Sequence, residues 1–469
     1  MNKSLNQLLM SCITCVVWFN VYGQSYDYSK FRFPEVKVKG LNGAAYLYGS
    51  AITNKNSNYG YNSGSLNYSI YGNYFRFIND KENQKLDRFN LNHTLYYDKN
   101  PSFILQNQEK EIKERNLNIE LIKEMVWRKY SNNGIEFLGV GNSFIEMDYN
   151  VGVYFSDNFY KSDINDYYQQ SLELNTTIPF KFGFGRIEPM DDVFLAQFLM
   201  DDLMEAGLIV ERLSEEKLFE LAQLMSFVRN QRVFDFRKAR VFRLTEIAGW
   251  LEKNGIPQNI KSFTVMNDNW QSAFLNTRSH GKRISLGLIP WVDYTWNKYN
   301  NQNGLDNTNL GIGIQAEYYN SKAKNQYSQS DVTLSFIQNY QDIQYIEYHF
   351  VSNLFAGYRY SYNPNSRTTY SIEPSLDYYL LEFKDQALNL NVKLSANYFI
   401  NNRARITTFL GTGFSRAKDD FVNVIRRYPF NANFITELQE LRNPLNTNVF
   451  IHGNQFSLFG NLSFNYAFF

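Results

Sequence analysis

Four histidines punctuate the 469-residue chain: His93, His280, His349 and His452. None has the His-Glu-x-x-His spacing that sets two imidazoles on one helix face beside a general base. The two cysteines, Cys12 and Cys15, lie in an N-terminal apolar run, so the chain beyond it offers no thiolate for zinc and no disulfide. The sequence contains no phosphate-binding glycine loop, dinucleotide fingerprint or nucleic-acid module, and no cofactor is expected. The most chemical feature is a set of charges in step with a two-residue alternation. It comprises Glu120, Glu124 and Arg128; Glu347, His349 and Arg359; and Glu373, Asp377 and Lys393, with Asp331 and Arg405 in the same phase. Charges of both signs on one face can pair across strands and fill an interior, or line a polar conduit. Asp419 and Asp420 form a further acidic pair that is either solvated or a cation or substrate contact.

The elements that position these residues are long two-faced segments. In "TNLGIGIQAEYYN", Leu310, Ile312, Ile314, Ala316 and Tyr318 share one face, and Asn309, Gly311, Gly313, Gln315 and Glu317 the other. "ALNLNVKLSANYFI" sets Leu388, Leu390, Val392 and Leu394 against Asn389, Asn391, Lys393 and Ser395. Period-two alternation is the strand signal, and a membrane-crossing strand needs roughly 9–11 residues against an ordinary mean of about 5–6. Strands are expected over 43–53, 63–78, 86–98, 115–131, 134–148, 167–184, 283–297, 307–320, 329–340, 344–361, 367–381, 387–400, 403–415 and 455–469. The count is about fourteen, and single-chain bacterial barrels have even counts. A charge facing lipid at mid-depth costs roughly 2–4 kcal/mol, so the charged face must be the lumen. Long connections at 99–114, 149–166 and 416–454 alternate with tight ones at Asn132–Asn133, 363–366 and 401–402, as outer loops alternate with periplasmic turns.

Residues 185–282 break the pattern, dividing the barrel into 24–184 and 283–469. "PMDDVFLAQFLMDDLMEAG" has helical apolar spacing, Asp191 and Asp192 at its start and Gly207 at its end. "SEEKLFELAQLMSFVRNQ" follows with Ser214 as N-cap, and "VFDFRKARVFRLTEIAGWLEKNG" is a third helix ending at Gly255 before Pro257. Strand counting places this three-helix unit on the periplasmic side. Acidic residues crowd its first two helices; Arg229, Arg232, Arg237, Lys238, Arg240 and Arg243 crowd the end of the second and the third. These charges pair with one another, or the basic stretch is a contact surface for the lumen or for a periplasmic protein partner.

Composition agrees with a barrel. Aromatic content is 17%, with 35 Tyr and 39 Phe, and aromatic rings favour both strands and the membrane interface. Net charge is +1, so no nucleic acid is implied. Residues 1–23 read as a signal peptide: Lys3, then an apolar run from Leu8 to Phe19, then Gly23. From Phe456 onward every second residue is apolar or Gly, through Leu458, Gly460, Leu462, Phe464, Tyr466 and Phe468.

That last strand resembles the C-terminal assembly signal of Gram-negative outer-membrane proteins, with Leu462, Phe464, Tyr466 and Phe468 at the matching positions and Phe469 one residue extra. The resemblance implies recognition by the outer-membrane assembly machinery. The Asn- and Tyr-rich barrel interrupted by "GRIEPMDDVFLAQFLMDDLMEAG" and "LAQLMSFVRNQRVFDFRKAR" is similar to outer-membrane proteins of the Bacteroidota that carry no assigned activity. The expected fold is therefore a transmembrane antiparallel β-barrel of about fourteen strands in outer-membrane lipid, with a helical insert. The expected role is channel, transport or envelope assembly, with the insert as plug or docking element. The alternatives are an interaction barrel with a filled lumen and an outer-membrane hydrolase. A phospholipase of that class needs a His–Ser pair at the outer rim and an omptin-like protease an Asp–His dyad. Nothing ties His349 to a nucleophile, so no catalytic residue is assigned.

Overall fold

The computed structural model describes residues 26–54, 61–101, 111–131, 143–161, 166–231, 236–272, 278–300, 302, 304–342, 349–401, 404–417 and 453–466. The strands of the first half are Val36–Asn54 (β1), Tyr61–Asn79 (β2), Asn83–Pro101 (β3), Glu111–Ser131 (β4), Ser143–Lys161 (β5), Asp166–Thr177 (β6), Phe180–Phe184 (β7) and Ile187–Pro189 (β8). Four helices follow: Asp191–Glu205 (α1), Glu215–Asn230 (α2), Phe236–Lys253 (α3) and Ile260–Ser272 (α4). The second half is Ser279–Tyr299 (β9), Leu305–Ala323 (β10), Ser328–Asp342 (β11), Phe350–Asn365 (β12), Thr368–Leu381 (β13), Asp385–Asn401 (β14), Ala404–Ala417 (β15) and Gly453–Tyr466 (β16).

Fourteen strands pair in chain order, β1 to β6 and then β9 to β16, each antiparallel to its neighbour, while β7 and β8 lie off this path. Strands reach 21 residues in β4 and β9, long enough to cross a bilayer at a tilt. The order is the up-and-down order of a membrane β-barrel, and the sheet is rolled. α2 touches β1 and α4 touches β14, although those strands stand near opposite ends of the strand order. Among the described residues β1 pairs only with β2, and β16 only with β15.

Burial is inverted relative to a water-soluble sheet. On β11, Asp331, Thr333, Ser335, Asn339 and Gln341 are buried, while Leu334 and Phe336 are each 44% exposed. On β10, Asn309 and Gln315 are buried between exposed Leu310, Ile312 and Ile314. No described helix is long and apolar enough to cross a membrane. The apolar face of the sheet is thus the surface for lipid, and the polar face is the lumen.

Two expectations about the strands need correction. Residues 149–166 were expected as an outer loop, but β5 runs on through Lys161. Gly152, Asp157 and Asn158 carry loop chemistry. In place, the Tyr154 ring lies over Gly152 at distances a Cβ would occupy, and Asp157 pairs with Arg115 on β4 at 3.0 Å. The expected strand 167–184 is two pieces, β6 and β7, because Pro179 has no N–H for the ladder. Both pieces still pair with β5 and β9. A similar glycine seat holds Trp291: its indole lies across Gly311 on the facing strand, so that Nε1 donates to Asn339 Oδ1 at 3.2 Å.

The insert holds four helices, not three. α3 closes at Gly255 before Pro257, as expected, but a reciprocal cap then starts α4: Ser262 N donates to Asn259 Oδ1 at 2.9 Å, and Asn259 N to Ser262 Oγ at 2.8 Å. Among its described side chains α4 buries only Ser262, Met266, Asn269 and Trp270, too polar a stripe to stand out as amphipathic. Gly207 and Gly255 take positive φ and close α1 and α3, followed by Leu208 and Ile256 bonding back to Leu203 and Leu251. α1 is buried without a break from Asp192 to Met200 because it is covered on every side there. Its Val193, Phe194, Leu199 and Leu203 share one core with α2, α3 and α4, with the N-terminal Tyr26, Tyr28 and Phe31, and with Ala323 at the end of β10.

This helical unit caps one end of the barrel. Met190 N donates to Arg278 O at 2.7 Å, and Arg278 N to Asp191 Oδ1 at 2.8 Å. The Arg278 guanidinium stacks 3.5 Å over Phe194 and donates to Asn325 O at 2.9 Å in the β10–β11 turn. Burial pulls that guanidinium down to about 10. Tyr327 in the same turn reaches Asp201, Asp268 pairs with Arg367 in the β12–β13 turn, and Arg186 holds Asn79, Asp80 and Lys81 at the β2–β3 turn.

Removing a fully buried aliphatic side chain from such a core costs about 2–5 kcal/mol. Leu199→Ala is therefore expected to lower the urea midpoint of the helical signal markedly, whereas Val210→Ala, at a position 91% exposed, should leave it unchanged.

Candidate functional site

The lumen has two different halves. Toward the capped end, β4, β5, β7, β9 and β10 converge in a buried ion network. Lys181 Nζ lies 3.1 Å from Glu146 Oε1, 3.4 Å from Asp148 Oδ2 and 3.0 Å from Glu317 Oε2. Arg128 pairs through Nε with the other oxygen of Glu146. Gln315 and Ser285 donate to Glu317 at 2.7 and 3.4 Å, and Arg283 is buried nearby. Three cations thus stand with three carboxylates. Phe144 and Tyr130 pack beside them, ring centroids 5.6 Å apart. Away from the cap, on the wall β3–β6, a cavity of about 250 Å³ is lined by Asn92, Asn118, Glu120, Tyr154, Ser171 and Glu173.

The expected lumen residues distribute over these halves. Glu120 lines the cavity and accepts from Asn92 Nδ2 at 3.4 Å. Glu124 stands on the same face, in register with Arg88 and Asn150. Arg128 belongs to the ion network. Arg359 forks onto Asp331 Oδ2 at 2.7 and 2.9 Å, while Asp331 Oδ1 accepts from Ser321 at 2.6 Å and Gln329 at 2.9 Å. Glu373 and Lys393 pair at 3.5 Å, with Lys393 over the Phe409 ring. Asp377 is buried opposite Phe355 and Asn389. His349 stands at the rim away from the cap, just before β12, exposed and stacked on Tyr340, with Nδ1 3.1 Å from Gln341 O. Glu347, Asp419, Asp420 and His452 lie outside the described residues, as does the side chain of Arg405.

Sequence reasoning missed Glu146, Asp148, Lys181 and Glu317 as members of the site. The signal was present in "FKFGF", where exposed Phe180 and Phe182 flank buried Lys181.

The basic stretch of the insert is divided, with Arg229 and Arg243 turned inward and Lys238 and Arg240 exposed. Arg229 pairs with buried Asp192 at 2.6 Å and lies over Trp270. Arg243 donates to Val228 O and Arg229 O at the end of α2, and Arg240 to Asn267. Lys238 is exposed; Arg232 and the side chain of Arg237 lie outside the described residues. Leu462 and Phe464 project from β16, exposed and in register with Thr408 and Ile406 on β15, and Tyr466 pairs with Ala404; Phe468 lies beyond the described residues.

No protein-family model matches the chain, and no curated protein does. Among solved structures it is similar to a bacterial polysaccharide outer membrane secretin, at 6% identity and a TM-score of 0.26, over 92% of this chain and 98% of that one. It is also similar to the P. putida toluene transporter TodX, at 6% identity and 0.25, over 81% and 82%. A third is an anion-selective porin from Comamonas acidovorans, at 9% identity and 0.23, over 91% and 100%. Likenesses this distant carry no weight for what the chain binds or passes.

Removing one partner of a buried ion pair leaves an uncompensated charge and costs about 3–5 kcal/mol. Lys181→Met should destabilise the barrel by that order in urea unfolding from vesicles, and Lys181→Arg should recover most of it.

Proposed function

We propose that this is an outer-membrane barrel of the channel or transport class, shut at its periplasmic end by its own helical cap and open to polar solutes from the opposite mouth. The observation that carries the reading is the asymmetry of the lumen. The cap and the ion network close the same end, while the polar cavity beside Glu120 and Glu173 lies in the other half. The tight β10–β11 and β12–β13 turns lie on the capped side, which supports a periplasmic cap, since periplasmic turns are the short ones. Lipid surrounds the apolar wall, and the alternating end of β16 supports insertion by the outer-membrane assembly machinery. The exposed part of α3, including Lys238, is then the surface left for a periplasmic partner.

A second reading, a filled barrel whose purpose is interaction, is favoured by one observation. On β11 and β12, Gln341 and Phe355 are wholly buried, so that part of the wall leaves no room for a solute.

The two readings separate in one variant. Asp268→Cys with Arg367→Cys places a disulfide between α4 and the β12–β13 turn, where the native ion pair stands. In planar bilayers the oxidised variant should stay closed and the reduced one should show discrete openings. Silence in both states, persisting when Arg278→Ala loosens the cap, would favour the filled barrel.

A further inference from the structure

The outward face of β1–β4 changes character near the capped end. Above, it is apolar, with Leu47, Ile70, Leu91 and Leu121 in the outward phase. Below, the register brings together Lys37, Lys39, Arg76, Lys85 and Lys123, with one carboxylate among them, Asp87. That carboxylate stands directly opposite Arg76 and pairs through Oδ1 with Lys123. Lys39 stands directly opposite Arg76. Like charges facing one another across two strands repel unless an anion lies between them. The corresponding rows of β12–β14 carry Tyr358, Tyr362, Tyr370 and Tyr398 instead, an aromatic girdle of the usual kind. The cations are thus densest on β1–β4, just below the apolar surface, whereas β9 and β10 carry only Lys282 and Lys322 in the outward phase near that end.

We propose that this patch is a binding site for the phosphates of anionic phospholipid, held between Lys37, Lys39, Arg76 and Lys85 at the capped-end interface. A phosphate diester seated there supplies the counter-charge that a single carboxylate, Asp87, leaves wanting among five cations, and its acyl chains continue along the apolar wall above. The site sits beside the β2–β3 turn, to which Arg186 ties the cap, so headgroup occupancy and cap attachment are neighbours. The proposal rests on the membrane reading of the apolar wall.

The full-length protein, reconstituted in phosphatidylcholine vesicles with trace spin-labelled lipid, tests it. A motionally restricted phosphatidylcholine signal shows that the wall lies in lipid, and so tests the membrane reading separately. Spin-labelled phosphatidylglycerol should be preferred over phosphatidylcholine by at least about fivefold, the order expected for one basic side chain at an anionic interface. K39Q/R76Q/K85Q should bring that ratio close to one, and K282Q/K322Q on β9 and β10 should leave it unchanged. A wild-type ratio near one, or equal loss in K282Q/K322Q, would overturn the site. Loss of the preference in excess inorganic phosphate would make it a site for a free anion and overturn the lipid assignment.

Discussion

The whole molecule answers one constraint: a backbone amide in hydrocarbon must be paired within the protein. Long antiparallel strands in chain order meet it along their lengths, and everything else follows from which side chains each strand then turns to which solvent. Apolar residues such as Ile312, Phe336 and Val392 face outward, and polar ones such as Gln315, Asn339 and Asn391 are buried. The inversion explains why mean hydropathy is mildly negative although the outer surface is greasy. Only alternate residues have to satisfy lipid.

The polar interior then has to be neutralised. The protein does this locally, strand by strand, rather than through one central charge field. Asp331 with Arg359 and Glu373 with Lys393 are pairs directly across neighbouring strands. The network around Lys181 is larger and sits under the cap. Buried ionic networks of this kind contribute little net stability, but they forbid a one-residue slip, because a slip would strand every charge in hydrocarbon. The cap adds an ordinary soluble core to this frame. Its residues follow helical periodicity, and it is fastened to three separate turns by Arg278, Arg186 and Asp268 rather than by a broad apolar interface.

Much of this was legible in the residues. Alternation located the long strands and the phase of Glu120, Arg128, Arg359, Glu373 and Lys393, because one dihedral pattern decides the face of every residue in a strand. The same rule misled at β5, where Gly152, Asp157 and Asn158 carry loop chemistry yet are held by a covering ring and a cross-strand pair. α4 escaped notice because its buried stripe is half polar. Lys181 escaped because β7 is short and separated from β6 by Pro179. Its partners lie on strands distant in sequence, and only three-dimensional register brings Glu146, Asp148 and Glu317 to one ammonium.

Depth-dependent quenching by brominated lipid chains tests the central claim most directly. Single tryptophans are placed in turn at positions 312, 315, 336, 339, 391 and 392 in a background whose native tryptophans are replaced by phenylalanine. Fluorescence at 312, 336 and 392 should be strongly quenched, and at 315, 339 and 391 unaffected. Uniform quenching, none at all, or the opposite alternation would contradict a wall that is apolar toward lipid and polar within.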